Sequence, residues 1–208
     1  MRSGYRQGFP DEGSWIVGFA GSAGAGTVRV ELSEPGAAVG VQLLGGWRAT
    51  TAERLGPVVL DAFAGALSAR LHARVGAHPQ FDFTATAALR ALGTGRDAAM
   101  LLADATRDLH EFVRRLATLH ETPRTAPSTG GPVTATVRSG QIVALTIDAA
   151  WRDRADDTEL ARVLGEVLSA GLRLIADTPQ QAMAGCPALV AVVQLAGSSP
   201  PATAGASR

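Results

Sequence analysis

The chain has 208 residues, 46% of them hydrophobic, and 19 basic side chains against 19 acidic ones. That length can bury a core as one domain or as two small ones, and the net charge of +0 excludes a domain that is basic by composition. One cysteine, Cys186, excludes an intrachain disulfide, and the four scattered histidines (His72, His78, His110, His120) lack ligand spacing, so neither a metal nor a cofactor is expected.

Every basic residue is arginine, which keeps its charge and can fork onto carboxylate or phosphate. The apolar patch Trp15–Ala20 is too short for a signal core, and no run approaches the length of a membrane span. The expected setting is therefore cytoplasmic, with no membrane partner.

In chain order, residues 1–25 read as a flexible N-terminal segment, its small-residue run Gly21–Gly26 a linker or tight turn. A first unit spans residues 26–80. Val28, Val30 and Leu32 alternate with Thr27, Arg29 and Glu31, the period of a half-buried strand. Ser33-Glu34-Pro35-Gly36 turns the chain, and Val39, Val41 and Leu43 mark the antiparallel return. After Trp47, Thr51 opens a helix whose stripe is Leu55, Val58, Val59, Phe63, Leu67 and Leu71, ending near Gly76.

Residues 81–121 hold a short helical segment, Thr84–Leu92, a break at Gly93–Gly95, and a long helix from about Asp97 to His120. Its apolar positions are Leu101, Leu102, Ala105, Leu109, Phe112, Val113, Leu116 and Leu119. Its other face carries Asp104, Arg107, Asp108, Glu111, Arg114 and Arg115, spaced for pairing along the helix.

Residues 122–183 then repeat the first unit. Thr122–Gly131 reads as a linker, Val133, Ala135 and Val137 as a strand, and Val143, Leu145 and Ile147 as its return. Asp148 caps the loop that carries Trp151, and a helix follows with Leu160, Val163, Leu164, Val167, Leu168, Leu172 and Ile175, ending before Pro179. Asp156, Asp157 and Glu159 stand at its positive end. The two copies superpose at an offset of 104, from Val39/Val143 through Trp47/Trp151 to Phe63/Val167. In residues 184–208 an apolar run, Ala188–Leu195, forms a late edge strand or short helix, and Ser198–Arg208 has a disordered composition.

The fold class is therefore α+β: two antiparallel hairpin-plus-helix units with a long central helix. From Asp97 to Met183 this pattern resembles the YbaB/EbfC-like bacterial nucleoid-associated family. The resemblance is carried by the long helix Asp97–His120, the Gly130–Val137 entry to a strand, Val143-Ala144-Leu145-Thr146-Ile147-Asp148, and the closing helix Glu159–Ala176 with Gln180–Met183. It implies an intimate homodimer, or an intrachain pseudo-dimer with residues 26–75 as a degenerate copy. It also implies weak, sequence-nonspecific binding of double-stranded DNA in the nucleoid, without chemistry.

On that reading Arg90, Arg96, Arg107, Arg114, Arg115 and Arg124 are the phosphate contacts, while Trp47, Trp151 and Asp148 are structural. No Gly-x-Ser-x-Gly elbow, Walker loop or His-Glu-x-x-His is present, so no enzyme is expected. The alternative is a protein-interaction or assembly module without nucleic acid, which the neutral charge and the apolar run Ala188–Leu195 favour.

Overall fold

The computed structural model describes residues 18–33, 38–75 and 96–197. Strands β1 (Phe19–Ala23), β2 (Val28–Leu32) and β3 (Val39–Leu43) form an antiparallel sheet in that order, followed by a short 3-10 turn, Trp47–Ala49, and helix α1 (Ala52–Val75). Helix α2 (Arg96–Glu121) leads to a second sheet, β4 (Arg124–Pro127), β5 (Val133–Arg138) and β6 (Gln141–Ile147). The chain closes with α3 (Ala149–Arg154), α4 (Asp157–Ala176), α5 (Thr178–Met183) and α6 (Pro187–Gly197). The architecture is α+β, with an internal repeat of two three-stranded sheets, each followed by helices, in a pseudo-dimer topology.

Each sheet has one strand more than the alternation implies. The run expected as a linker or turn before Gly26 contains β1, which pairs Phe19 with Leu32 and Ala23 with Val28. The linker expected at Thr122–Gly131 contains β4. Both strands are short, Phe-Ala-Gly-Ser-Ala and Arg-Thr-Ala-Pro, so they carry almost no apolar alternation. The repeat nevertheless extends to them, at an offset of 105 from Phe19/Arg124 to Leu32/Val137. Ala25 and Gly130, equivalent at that offset, both lie at positive φ, 55° and 79°, because both turns need left-handed backbone.

Two compact units divide the chain. One gathers both sheets, α1, and α4 as far as Arg173; the other gathers α2, the hairpin tip Val137–Gln141 and the chain from Leu174 onward. The core of the first unit is the pair of inward strand faces, Val28, Val30, Leu32 and Val133, Ala135. Against them lie Leu55, Val59, Ala62, Phe63 and Ala66 of α1 and Leu160, Val163, Leu164, Val167 and Leu168 of α4. Each fully buried Leu or Val contributes about 1.5–3 kcal/mol relative to exposure. The α1 stripe drifts from expectation: Leu71 is exposed and the helix buries Ala62 and Ala66 instead, because Gly21 in β1 lets the backbone at Ala62 and Ala66 come within contact distance. Val143, expected to face inward with Leu145 and Ile147, is likewise exposed.

The two copies cover each other's open edges. β3 and β6 are each one of the two edge strands of their sheets, and an unpaired strand edge invites wrong pairing unless something covers it. The hydroxyl of Ser169 on α4 accepts a buried hydrogen bond from the Val39 amide of β3 at 3.0 Å. A side chain at Gly165, one turn earlier, would sit 2.6 Å from the Val39 carbonyl oxygen. In the reverse sense, a side chain at Gly56 of α1 would sit 2.4 Å from the Leu145 carbonyl oxygen of β6. Helix α4 thus lies on the first sheet's edge and α1 on the second's.

The segment Thr84–Leu92, the break at Gly93–Gly95, Arg90 and the tail from Ser198 lie outside the described residues. The apolar run Ala188–Leu195 is helical, within α6, rather than a strand.

Replacing Gly56 or Gly165 with alanine should cost about 1–3 kcal/mol by urea denaturation, because the backbones must separate to admit a Cβ. The alanine's own helix preference of about 1 kcal/mol offsets part of this strain. Gly45→Ala, where a Cβ meets nothing within 4 Å, should change stability by no more than about 0.5 kcal/mol.

Candidate functional site

The arginines singled out from the sequence fall into three situations. Arg90 lies outside the described residues, and Arg96 opens α2. Arg107, Arg114 and Arg115 lie on α2 and are each bonded to an acid one turn away. Arg107 Nη1 donates to Asp104 Oδ1 at 2.9 Å, Arg114 forks onto both Glu111 oxygens at 2.9 and 2.7 Å, and Arg115 Nε donates to Glu111 Oε1 at 2.6 Å. The Arg114 and Arg115 hydrogen bonds hold the Glu111 carboxyl down at about 2. A carboxyl depressed in the fold contributes stability above its ordinary range and loses it as pH falls toward the depressed value. These pairs therefore persist well into mild acid, and most of the arginine field on this face is cancelled.

Arg124 points inward. Its Nη2 donates to the Leu174 carbonyl at 2.9 Å and to the Thr178 hydroxyl, and its Nη1 to Gln181 at 3.1 Å. It ties the start of β4 to the α4–α5 junction.

Around α2 the packing is one-sided. The carboxylate of Asp108 accepts from the Ala188 and Leu189 amides at 2.8 and 3.2 Å, an anion on the first turn of α6. The Arg115 guanidinium occupies the space beside Gly185. With 3.6 residues per turn, Ala105, Asp108, Phe112 and Arg115 share one arc of α2, turned toward α5 and α6. Asp104, Arg107, Glu111 and Arg114 share a second arc and pair among themselves. Leu102, Leu109 and Val113 fall on a third, and Leu109 and Val113 remain 47% and 56% exposed. Helix α6 is apolar from Ala188 to Leu195 apart from Gln194, yet Val193 is 52% exposed.

Sequence reading by apolar position alone missed this division. The signal was the heptad spacing Leu102, Ala105, Leu109, Phe112, Leu116, Leu119, the pattern of a helix-to-helix seam.

The residues taken as structural stand in the first unit. Asp148 caps α3, its Oδ1 accepting from the Trp151 amide at 2.6 Å. Trp47 is buried, with the Arg48 and Arg152 guanidinium carbons 4.6 and 5.6 Å from its ring centroid. The same two arginines, equivalent in the repeat, cross between the copies. Arg48 Nη2 donates to the Ala155 carbonyl at 3.2 Å and to Asp157 at 2.8 Å. Arg152 Nη2 donates to the Arg48 carbonyl at 3.1 Å and to the Thr50 carbonyl. Trp151, the counterpart of Trp47, is only half-buried.

No family model, curated protein or solved structure matches this chain.

The Arg152 side chain is 12% exposed and that of Arg48 53%, so the two halves of the crossing should differ in weight. Arg152→Ala is expected to cost about 1.5–3 kcal/mol by urea denaturation, as loss of a buried charged donor does. Arg48→Ala should cost under about 1 kcal/mol, as exposed pairs do.

Proposed function

We propose that this protein is a non-catalytic assembly module that pairs with a second copy of itself through the uncovered arc of α2. The observation that carries the reading is the row Leu102, Leu109 and Val113, left exposed on a helix whose two other arcs are already occupied. Its flank bears Thr106, His110 and Ala117 rather than arginine or aspartate, so closing two copies together desolvates no ion pair.

The row is also self-complementary. In a 26-residue helix, Leu109 lies at the centre, and an antiparallel two-fold axis there sets Leu109 on itself and Leu102 against Leu116. Leucine meets leucine. Helix α2 is about 39 Å long, and with α6 alongside it can bury roughly 1,000 Å² between two copies, the lower bound for a specific interface.

A YbaB/EbfC-like role on DNA rests on the order of elements in the sequence, and the arginine geometry favours it less. Phosphate contacts supply most non-specific affinity, whereas Arg107, Arg114 and Arg115 are committed to acids and Arg124 to backbone and hydroxyl oxygens.

Sedimentation of the full chain should give twice the 21.3 kDa chain mass, and the double variant Leu109→Asp, Val113→Asp should sediment as a monomer with an unchanged circular dichroism spectrum. A wild type that stays monomeric up to about 100 μM, or a variant that stays dimeric, would sink the reading.

A generic duplex of about 30 base pairs, titrated across salt, should bind weakly with a shallow salt slope. Steep salt dependence would instead return the protein to the nucleoid-associated reading.

A further inference from the structure

The two copies treat their equivalent tryptophans differently, and the difference describes a ligand. Around Trp47 the molecule supplies its own cations, the guanidinium groups of Arg48 and Arg152. Around Trp151 the chain leaves an open pocket of about 450 Å³, lined by Thr129, Gly130, Gly131, Pro132, Asp148 and Trp151. That volume falls in the range of small-ligand sites.

Three features define this pocket. Where the first copy has Leu44, the second has Asp148, so a carboxyl-bearing residue lines the pocket together with Trp151. Capping α3 uses one of its two oxygens, Oδ1, which leaves Oδ2 as an acceptor. Gly130 and Gly131, both at φ +79°, line the pocket with backbone alone, and a Cβ on Gly131 would meet nothing within 4 Å. The loop is held from behind: Glu166 Oε1 accepts from the Thr129 amide at 3.0 Å and its hydroxyl at 2.6 Å. Those bonds hold the Glu166 carboxyl below its ordinary range, so this support is present at neutral pH and is lost only on acidification.

We infer that the Trp151–Asp148 pocket binds a guanidinium group, that of an arginine side chain or of free arginine. The planar cation stacks on the indole, as Arg48 does on Trp47, and donates to the Asp148 carboxylate, a combination that matches the fork geometry of arginine better than the compact ammonium of lysine. The site lies in the sheet-bearing unit and does not depend on pairing through α2.

The test is an NMR titration of the full chain with N-acetyl-arginine amide, following the Trp151 indole and the Gly130, Gly131 and Trp151 amides. The uncharged isostere N-acetyl-citrulline amide serves as control. Arginine should shift these signals saturably and citrulline should not, with N-acetyl-lysine amide weaker than arginine. Asp148→Asn keeps a good helix cap but removes the charge, so it should weaken binding at least about fivefold with the melting temperature unchanged. Tighter binding of a Gly-Arg-Gly peptide than of free arginine would assign the source to a protein partner, and the reverse order to the free amino acid. Absence of a saturable arginine shift, an equal response to citrulline, or full binding by a stably folded Asp148→Asn variant would each overturn the inference.

Discussion

Two glycines facing two carbonyl oxygens hold the first unit together. A three-stranded sheet with one helix has an exposed edge and a thin core, and neither copy of this repeat offers more than that alone. Gly165 lets α4 settle on the Val39 edge of β3, where Ser169 satisfies the Val39 amide, and Gly56 lets α1 settle on Leu145 of β6. Each copy thereby lends its helix to the other's sheet. This is the logic of a symmetric dimer, in which one patch serves both partners, here written into a single chain. The arginine crossing at Arg48 and Arg152 follows the same exchange, each guanidinium reaching carbonyl oxygens of the other copy.

Pairing of the two copies through α1 and α4 lies within the first unit, and the long helix belongs to the second. Helix α2 packs with α5 and α6 in the second unit, and there the charged residues are consumed locally: Asp108 on the α6 amides, Glu111 on two arginines, Asp104 on Arg107. Leu109 and Val113 on α2 and Val193 on α6 remain exposed.

Much of the architecture was legible in the residues. Period-two alternation placed β2, β3, β5 and β6, three-four spacing placed α1, α2 and α4, and the shared Trp-Arg exposed the repeat. The strands β1 and β4 were not legible, because Phe-Ala-Gly-Ser-Ala and Arg-Thr-Ala-Pro carry too little apolar contrast to announce a buried face. Of the candidate site residues, Asp148 could be placed as a cap from its position at a strand exit. Arg124 looked like a surface arginine, since nothing local distinguishes a guanidinium reaching solvent from one reaching Leu174.

The sequence by itself determined which face of each element is apolar, where turns fall and that a unit is repeated, since all of these are written in local spacing. Only the tertiary structure decided what covers each face. Whether α1 closes its own sheet or the other copy's edge depends on backbone approach at Gly56 and Gly165, and glycine marks such an approach by lacking a side chain, which leaves no periodic signal. The same holds for the tryptophans: the repeat made Trp47 and Trp151 equivalent, and the fold made them different by sending both arginines to one of them.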